Sequence, residues 1–219
     1  MKKKIKTGLL FWGIAVMGLS LIGTEVSFGG IRLAVVPFQL EQAHDKEIVR
    51  CRSCGNILAG GPIEGDPTSL LTHLLWELFQ EKSKGFDLIS PGQVEGVYNT
   101  TLAKGIEKNP LLLMKDMGNQ LNADYMLWGS VFHYQERKGT AYGVQQPASV
   151  TMDLHLLKVK DGKLVWRAQW AETQKSLTEN LLEVDSFFKR KMRWVTVEEL
   201  SRLGLGEMLK DFPATDLLR

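Results

Sequence analysis

The sequence predicts an α/β (α+β) domain: a mixed parallel and antiparallel sheet with helices packed on it. Three observations predict it. A β-branched run, Ile31 to Phe38, is separated from a second short apolar run, Phe86 to Ile89, by a leucine-striped segment of helical period. Such a pair makes a right-handed parallel crossover. The stretch Ala123 to Arg137 (ADYMLWGSVFHYQER) then switches to a period of two, the pattern of a strand. Two further alternating runs, Val150 to Lys160 and Leu164 to Thr173, are joined by Lys160-Asp161-Gly162-Lys163. Asp-Gly is a tight-hairpin signal, so the three runs predict an antiparallel meander.

A chain of 219 residues fits one ordinary domain with room for a sizeable core. Hydrophobic residues at 44% and charged ones at 24% are globular proportions and exclude a disordered chain. The formal charge of +2 misleads, because residues 1–29 hold four of the 27 basic residues and one of the 25 acidic ones. The remainder carries a net charge of −1, which excludes a global electrostatic reason to bind nucleic acid.

Those first 29 residues read as a secretory signal peptide. Lys2, Lys3, Lys4 and Lys6 precede an apolar run from Leu9 to Gly23, and Ser27 and Gly29 fit the small residues before a cleavage site at Gly30. The run is shorter than the ~20 apolar residues a bilayer span needs, which favours export with cleavage over an uncleaved anchor. No cysteine lies between residues 7 and 35, so a lipid-anchor cysteine is excluded there. The expected location is the periplasm, with residues 30–219 as a single domain.

Within that domain Ile31 to Phe38 reads as a buried strand ended near Pro37, followed by a long connection from Gln39 to Gly65 that predicts an irregular loop. Asp66-Pro67 supplies an N-cap and an N1 proline for a helix with Leu70, Leu71, Leu74, Leu75, Leu78 and Phe79 on one face. Lys84-Gly85 stops it. Ser90-Pro91-Gly92-Gln93 reads as a capping box opening a helix to about Lys104. Asn109-Pro110 opens another, with Leu113, Met117 and Leu121 as its buried stripe. In the first meander strand, Met126, Trp128, Ser130, Phe132 and Tyr134 share one face, and Leu127, Gly129, Val131 and His133 the other. Gly139 to Pro147 reads as a loop. Capping boxes at Ser176–Glu179 and Thr196–Glu199 predict C-terminal helices near 177–188 and 197–211.

The early strand ending in Pro-Phe, the leucine-rich helix and Ala-Asp-Tyr-Met-Leu-Trp-Gly-Ser-Val (123–131) leading into a meander carry a resemblance. Over residues 31–173 the chain resembles the curli-secretion-channel-like (CsgG/LpoB/PelC-type) envelope proteins, a group whose fold is similar to the N-terminal domain of TolB. The resemblance implies an accessory protein of the periplasm or outer membrane that binds other envelope proteins or assembles into homo-oligomeric rings, without chemistry of its own. Two departures weigh against a secretion pore: the lipidated cysteine common in the group is missing, and no long amphipathic hairpins are available for a membrane barrel.

Cys51-Arg52-Ser53-Cys54-Gly55 is the one motif with chemical content. In an oxidising compartment the default is a disulfide clipping the loop. Cys-x-x-Cys-Gly also reads as half of a zinc knuckle, which needs two more ligands; His44, His73 or a second chain are the sources in view. No helix follows Cys51 to lower a thiol pKa, which argues against redox catalysis, and Gly55 stands where covalent haem attachment needs histidine. His133 and His155 fall on adjacent predicted strands as cross-strand candidates. Lys189, Arg190, Lys191 and Arg193, with Trp194 and the preceding Phe187-Phe188, form a basic-aromatic cluster. It suits anionic lipid headgroups or an acidic partner, or else a solvated connection with its aromatics in the core. No Ser–His–Asp order, paired carboxylates or phosphate loop is found. The sequence therefore points to a non-enzymatic envelope accessory protein with no resident cofactor. The alternative is a zinc- or thiol-dependent periplasmic protein centred on Cys51 and Cys54, and an integral outer-membrane assembly subunit comes third.

Overall fold

The structure is a computed structural model that describes residues 30–41, 48–103, 109–140, 143–174 and 194–218. The predicted leader, the 177–188 helix and the basic residues Lys189, Arg190, Lys191 and Arg193 lie outside the described residues.

The first strand, β1 (Ile31–Val35), stops before Pro37, which cannot donate to a ladder. Helix α1 (Pro67–Lys82) starts where Asp66 accepts from the Thr68 N–H at 3.1 Å, with Pro67 just inside. Its Leu71, Leu74, Leu75 and Phe79 are buried, at the i, i+3, i+4 spacing of a core face. Strand β5 (Phe86–Leu88) follows, then α2 (Pro91–Ala103) and α3 (Pro110–Leu121). At the start of α2 the reciprocal capping box does not form: Ser90 Oγ meets the Gln93 side-chain oxygen at 3.0 Å instead. Asn109 caps α3 by accepting from Leu111 and Leu112, and Asn122 ends it in the left-handed conformation. The long strands β6 (Tyr125–Gln135), β9 (Ser149–Lys158) and β10 (Lys163–Thr173) form the expected meander. Thr196 and Glu199 close a complete capping box on α4 (Val197–Met208), and a 3₁₀ turn, Leu209–Asp211, leads to the short α5 (Thr215–Leu218).

The strands order as β10-β9-β6-β1-β5, parallel between β5, β1 and β6 and antiparallel from β6 to β10. The predicted mixed α+β sheet is therefore the observed one. One face packs Leu33, Val35, Leu127, Leu154 and Leu156 against α1 and α4; the other packs Ala34, Val36, Met126, Trp128 and Leu157 against α2 and α3.

Three sequence expectations need correction. The described residues of the Gln39–Gly65 segment, expected as an irregular loop, include strands. They form β2 (Gln39–Leu40), which pairs with β6, and a hairpin of β3 (Ile48–Arg50) and β4 (Ile57–Ala59). These strands are too short for a periodic signal to develop. The segment between β6 and β9 likewise holds a small hairpin, β7 (Lys138–Gly139) with β8 (Val144–Gln146). Finally, a β-bulge between Val131 and His133 breaks the alternation of β6, so Tyr134 joins the core cluster of Leu127 and Val131 rather than the face of Trp128.

The Cys51–Cys54 turn over strand β9

The β3–β4 hairpin folds back over the sheet and covers the far end of the face that carries Trp128. Cys51 and Leu58 from the hairpin close over Phe132 of β6 in a small separate core, with Val49 and Cys54 packed at its edge. Two polar clamps hold the hairpin in place. On the β2 side, the Arg52 Nε donates to both carboxylate oxygens of buried Glu41, at 3.0 and 2.8 Å. Glu41 is itself fixed because its N–H donates to the Val131 carbonyl of β6. On the β10 side, the Asn56 amide donates to the Gln169 side-chain oxygen at 3.1 Å. The chain then returns along β6: the Glu64 N–H donates to the Tyr134 carbonyl, the Tyr134 N–H donates to the Pro62 carbonyl, and Gly61 passes so close to His133 that a Cβ there would lie 2.1 Å from Nδ1.

The turn inside the hairpin is tight. The Cys51 N–H donates to the Asn56 carbonyl, the Gly55 N–H donates back to the Cys51 carbonyl, and Gly55 sits at φ +76°, which a Cβ would resist. The Ser53 N–H points at the Cys51 sulfur at 3.3 Å. Both cysteines are free thiols, Cys51 buried and Cys54 half-buried.

Beneath the turn stand Asp153 and His155, two residues apart on β9 and so on one face. They pair with Ser130 and Trp128 of β6, and the His155 ring stacks on Trp128 at 5.0 Å between centroids. Both side chains are shut off from solvent. His155 Nε2 lies 3.6 Å from Cys51 Sγ and 3.4 Å from Asp153 Oδ2. Among the described residues, neither Asp153 oxygen makes a hydrogen bond of good geometry, though the Cys51 thiol and Ser130 lie beside the carboxyl, and His155 Nδ1 has no partner. Electrostatics follow from dryness. Burial raises the Asp153 carboxyl to about 7 and lowers His155 to about 4, while burial and the Asp153 charge push the Cys51 thiol far above its ordinary value. A thiol so protonated is a poor nucleophile, which weighs against thiol catalysis.

The other candidates fall elsewhere. His73 lies on the exposed side of α1, 3.1 Å from Glu77, and His44 lies outside the described residues. His133 pairs with Thr151 and His155 with Trp128, so the two histidines are not cross-strand neighbours. Trp194 is half-buried just before α4; the rest of its basic cluster lies outside the described residues. The sequence reading missed Asp153 and His155 as companions of the cysteines. An Asp-x-His on a strand was the available signal, but its face and its distance to residue 51 depend on register.

No protein-family model matches this chain, and no curated protein does. Among solved structures, it is similar to the PelC dodecamer from Paraburkholderia phytofirmans at 13% identity, covering 84% of this chain and 90% of that one, with a TM-score of 0.46. Lipoprotein GNA1162 from Neisseria meningitidis matches at 14% identity over 74% of this chain and 94% of that one, TM-score 0.42. The C-terminal domain of LpoB from Escherichia coli matches at 15% over 70% and 90%, TM-score 0.38. At such identities and scores the fold rests on the strand order and register described above, not on likeness.

Proposed function

We propose that the chain is an exported, non-enzymatic accessory protein of the cell envelope that binds partner proteins in the periplasm or at the outer membrane. The lysine-headed apolar start supports export, and residues 1–29 act as the leader of a single domain, 30–219. No described helix is long and apolar enough to cross a membrane. The observation that carries the binding half is the edge strand β10. Eleven residues long, it is bonded to β9 on one side and, among the described residues, to no strand on the other. A strand of that length is a template for an added strand from another chain. Exposed Val165, Arg167 and Gln169 line its outward side, and the hairpin anchored at Gln169 extends the same surface. Lys189, Arg190, Lys191, Arg193 and Trp194 serve in this reading as a contact for lipid headgroups or an acidic partner.

Expression of the full chain with its leader, cell fractionation, and in-envelope crosslinking from cysteine or photoreactive residues placed at 165 and 167 tests the proposal. Processed protein in the periplasmic fraction, crosslinked to an envelope protein or to a second copy, is expected. Intact protein in the cytosol, or a processed monomer that captures nothing, counts against it.

A further inference from the structure

We propose that Cys51, Cys54, Asp153 and His155 form a structural Zn²⁺ site that fastens the β3–β4 hairpin to the sheet. One donor atom from each residue lies within 4.8 Å of all the others. Two of the separations match those of a tetrahedral site. With zinc bonds of about 2.3 Å to sulfur and about 2.0–2.1 Å to nitrogen and oxygen, tetrahedral angles put sulfur and nitrogen about 3.6 Å apart and nitrogen and oxygen about 3.4 Å apart. The observed separations are 3.6 Å from Cys51 Sγ to His155 Nε2 and 3.4 Å from His155 Nε2 to Asp153 Oδ2. The second distance is too long for a good hydrogen bond.

The polar bookkeeping points the same way. Among the described residues, both oxygens of a solvent-excluded carboxyl group lack a well-formed hydrogen bond, an arrangement that costs free energy unless something else meets them. A dication does so. The Cys-x-x-Cys-Gly turn also suits thiolates: the Ser53 N–H is aimed at the Cys51 sulfur, and Gly55 takes the positive φ that lets the turn close. Two sulfurs, one imidazole and one carboxylate select Zn²⁺ over the oxygen-preferring Mg²⁺ and Ca²⁺. Binding displaces the two thiol protons, and the carboxyl proton wherever Asp153 carries one, to solvent, leaving two thiolates, a carboxylate and a neutral imidazole around the ion. All four positions are filled from the protein, so the site is closed to substrate and structural rather than catalytic.

The ion has something to hold. Each hairpin strand is three residues long, Ile48 and Ile57 face solvent, and the core beneath is small. A hairpin of that size is marginal on its own. This inference does not depend on the partner-binding reading.

Metal analysis of the full chain purified from the envelope without chelator, with thiol titration before and after denaturation in EDTA, tests it. One zinc per chain and two thiols that react only after chelation are expected. Absence of zinc, whether with a Cys51–Cys54 disulfide or with two freely reactive thiols, overturns it. Cys54→Ser and Asp153→Asn should each lose stoichiometric zinc, and full retention by both contradicts the ligand set. Wild-type protein reloaded with Co²⁺ gives a check independent of variant folding: tetrahedral d–d bands with thiolate charge transfer are expected, and an octahedral spectrum overturns the site. Chelation should raise hydrogen exchange over residues 48–59; unchanged exchange there would remove the fastening role.

Discussion

His155 and Cys51 stand 104 positions apart in the chain, yet the imidazole Nε2 lies 3.6 Å from the thiol sulfur in a buried setting. Their meeting depends on three separate placements: β9 antiparallel on β6, the bulge-free part of β6 beneath it, and the hairpin clamped over both. Disturbing any of these should be measurable.

Arg52 is the clamp on the β2 side. Its guanidinium bonds both oxygens of Glu41, whose side chain is only 7% exposed while that of Arg52 is 46% exposed. Arg52→Ala leaves a buried carboxylate unmet, and with half the pair in solvent the loss should be roughly 1–2 kcal/mol. Urea unfolding of Arg52→Ala, Glu41→Gln and the double variant measures it. The double variant should recover part of the loss, since no unpaired charge then remains.

Gly61 is required by close approach rather than by an unusual φ. A methyl group there meets the His133 ring at 2.1 Å, so Gly61→Ala should cost about 1–3 kcal/mol through forced displacement. Adding His133→Ala removes the obstacle. Thermal melts in which the double variant is no more stable than Gly61→Ala would contradict this account.

A buried bond ties the 215–218 turn to the sheet: the Tyr125 hydroxyl donates to the Leu218 carbonyl at 2.5 Å. Tyr125→Phe leaves that carbonyl without its partner at a cost of about 1–3 kcal/mol. Hydrogen exchange should rise over residues 215–218 first, while the β6–β9 ladder keeps its protection.

Acid should weaken the fold through His133. Burial lowers its pKa below the ordinary 6.5, so in the window just under that value the unfolded chain binds a proton that the folded chain refuses. The stability is complete above about pH 6.5 and is lost as pH falls toward the folded value. Urea midpoints at about pH 7.5 and 5.5 should drop more in the wild type than in His133→Asn. Equal drops would assign the acid sensitivity to other groups.

Much of this architecture was legible because it is written in short-range chemistry. Asp66, Asn109 and Thr196 each meet a helix N–H two or three residues on, and Asp161-Gly162 turns one strand onto the next with Gly162 at φ +67°. Such contacts involve neighbours in the chain, so residue type and spacing suffice to place them. The leucine face of α1 and the alternation along β9 and β10 needed nothing more than periodicity.

What sequence alone determined, then, is the order and kind of the major elements and the presence of a Cys-x-x-Cys-Gly turn. Only the tertiary structure decided what that turn faces. Pairing Trp128 with His155 and Ser130 with Asp153 sets the register of β9, and the Arg52–Glu41 and Asn56–Gln169 contacts set where the hairpin lands. A one-residue slip of β9 would turn both donors to the opposite face of the sheet. The bulge at Val131–His133, which returns Tyr134 to the other core, was hidden for the same reason: it belongs to a strand pair, and no single strand records it.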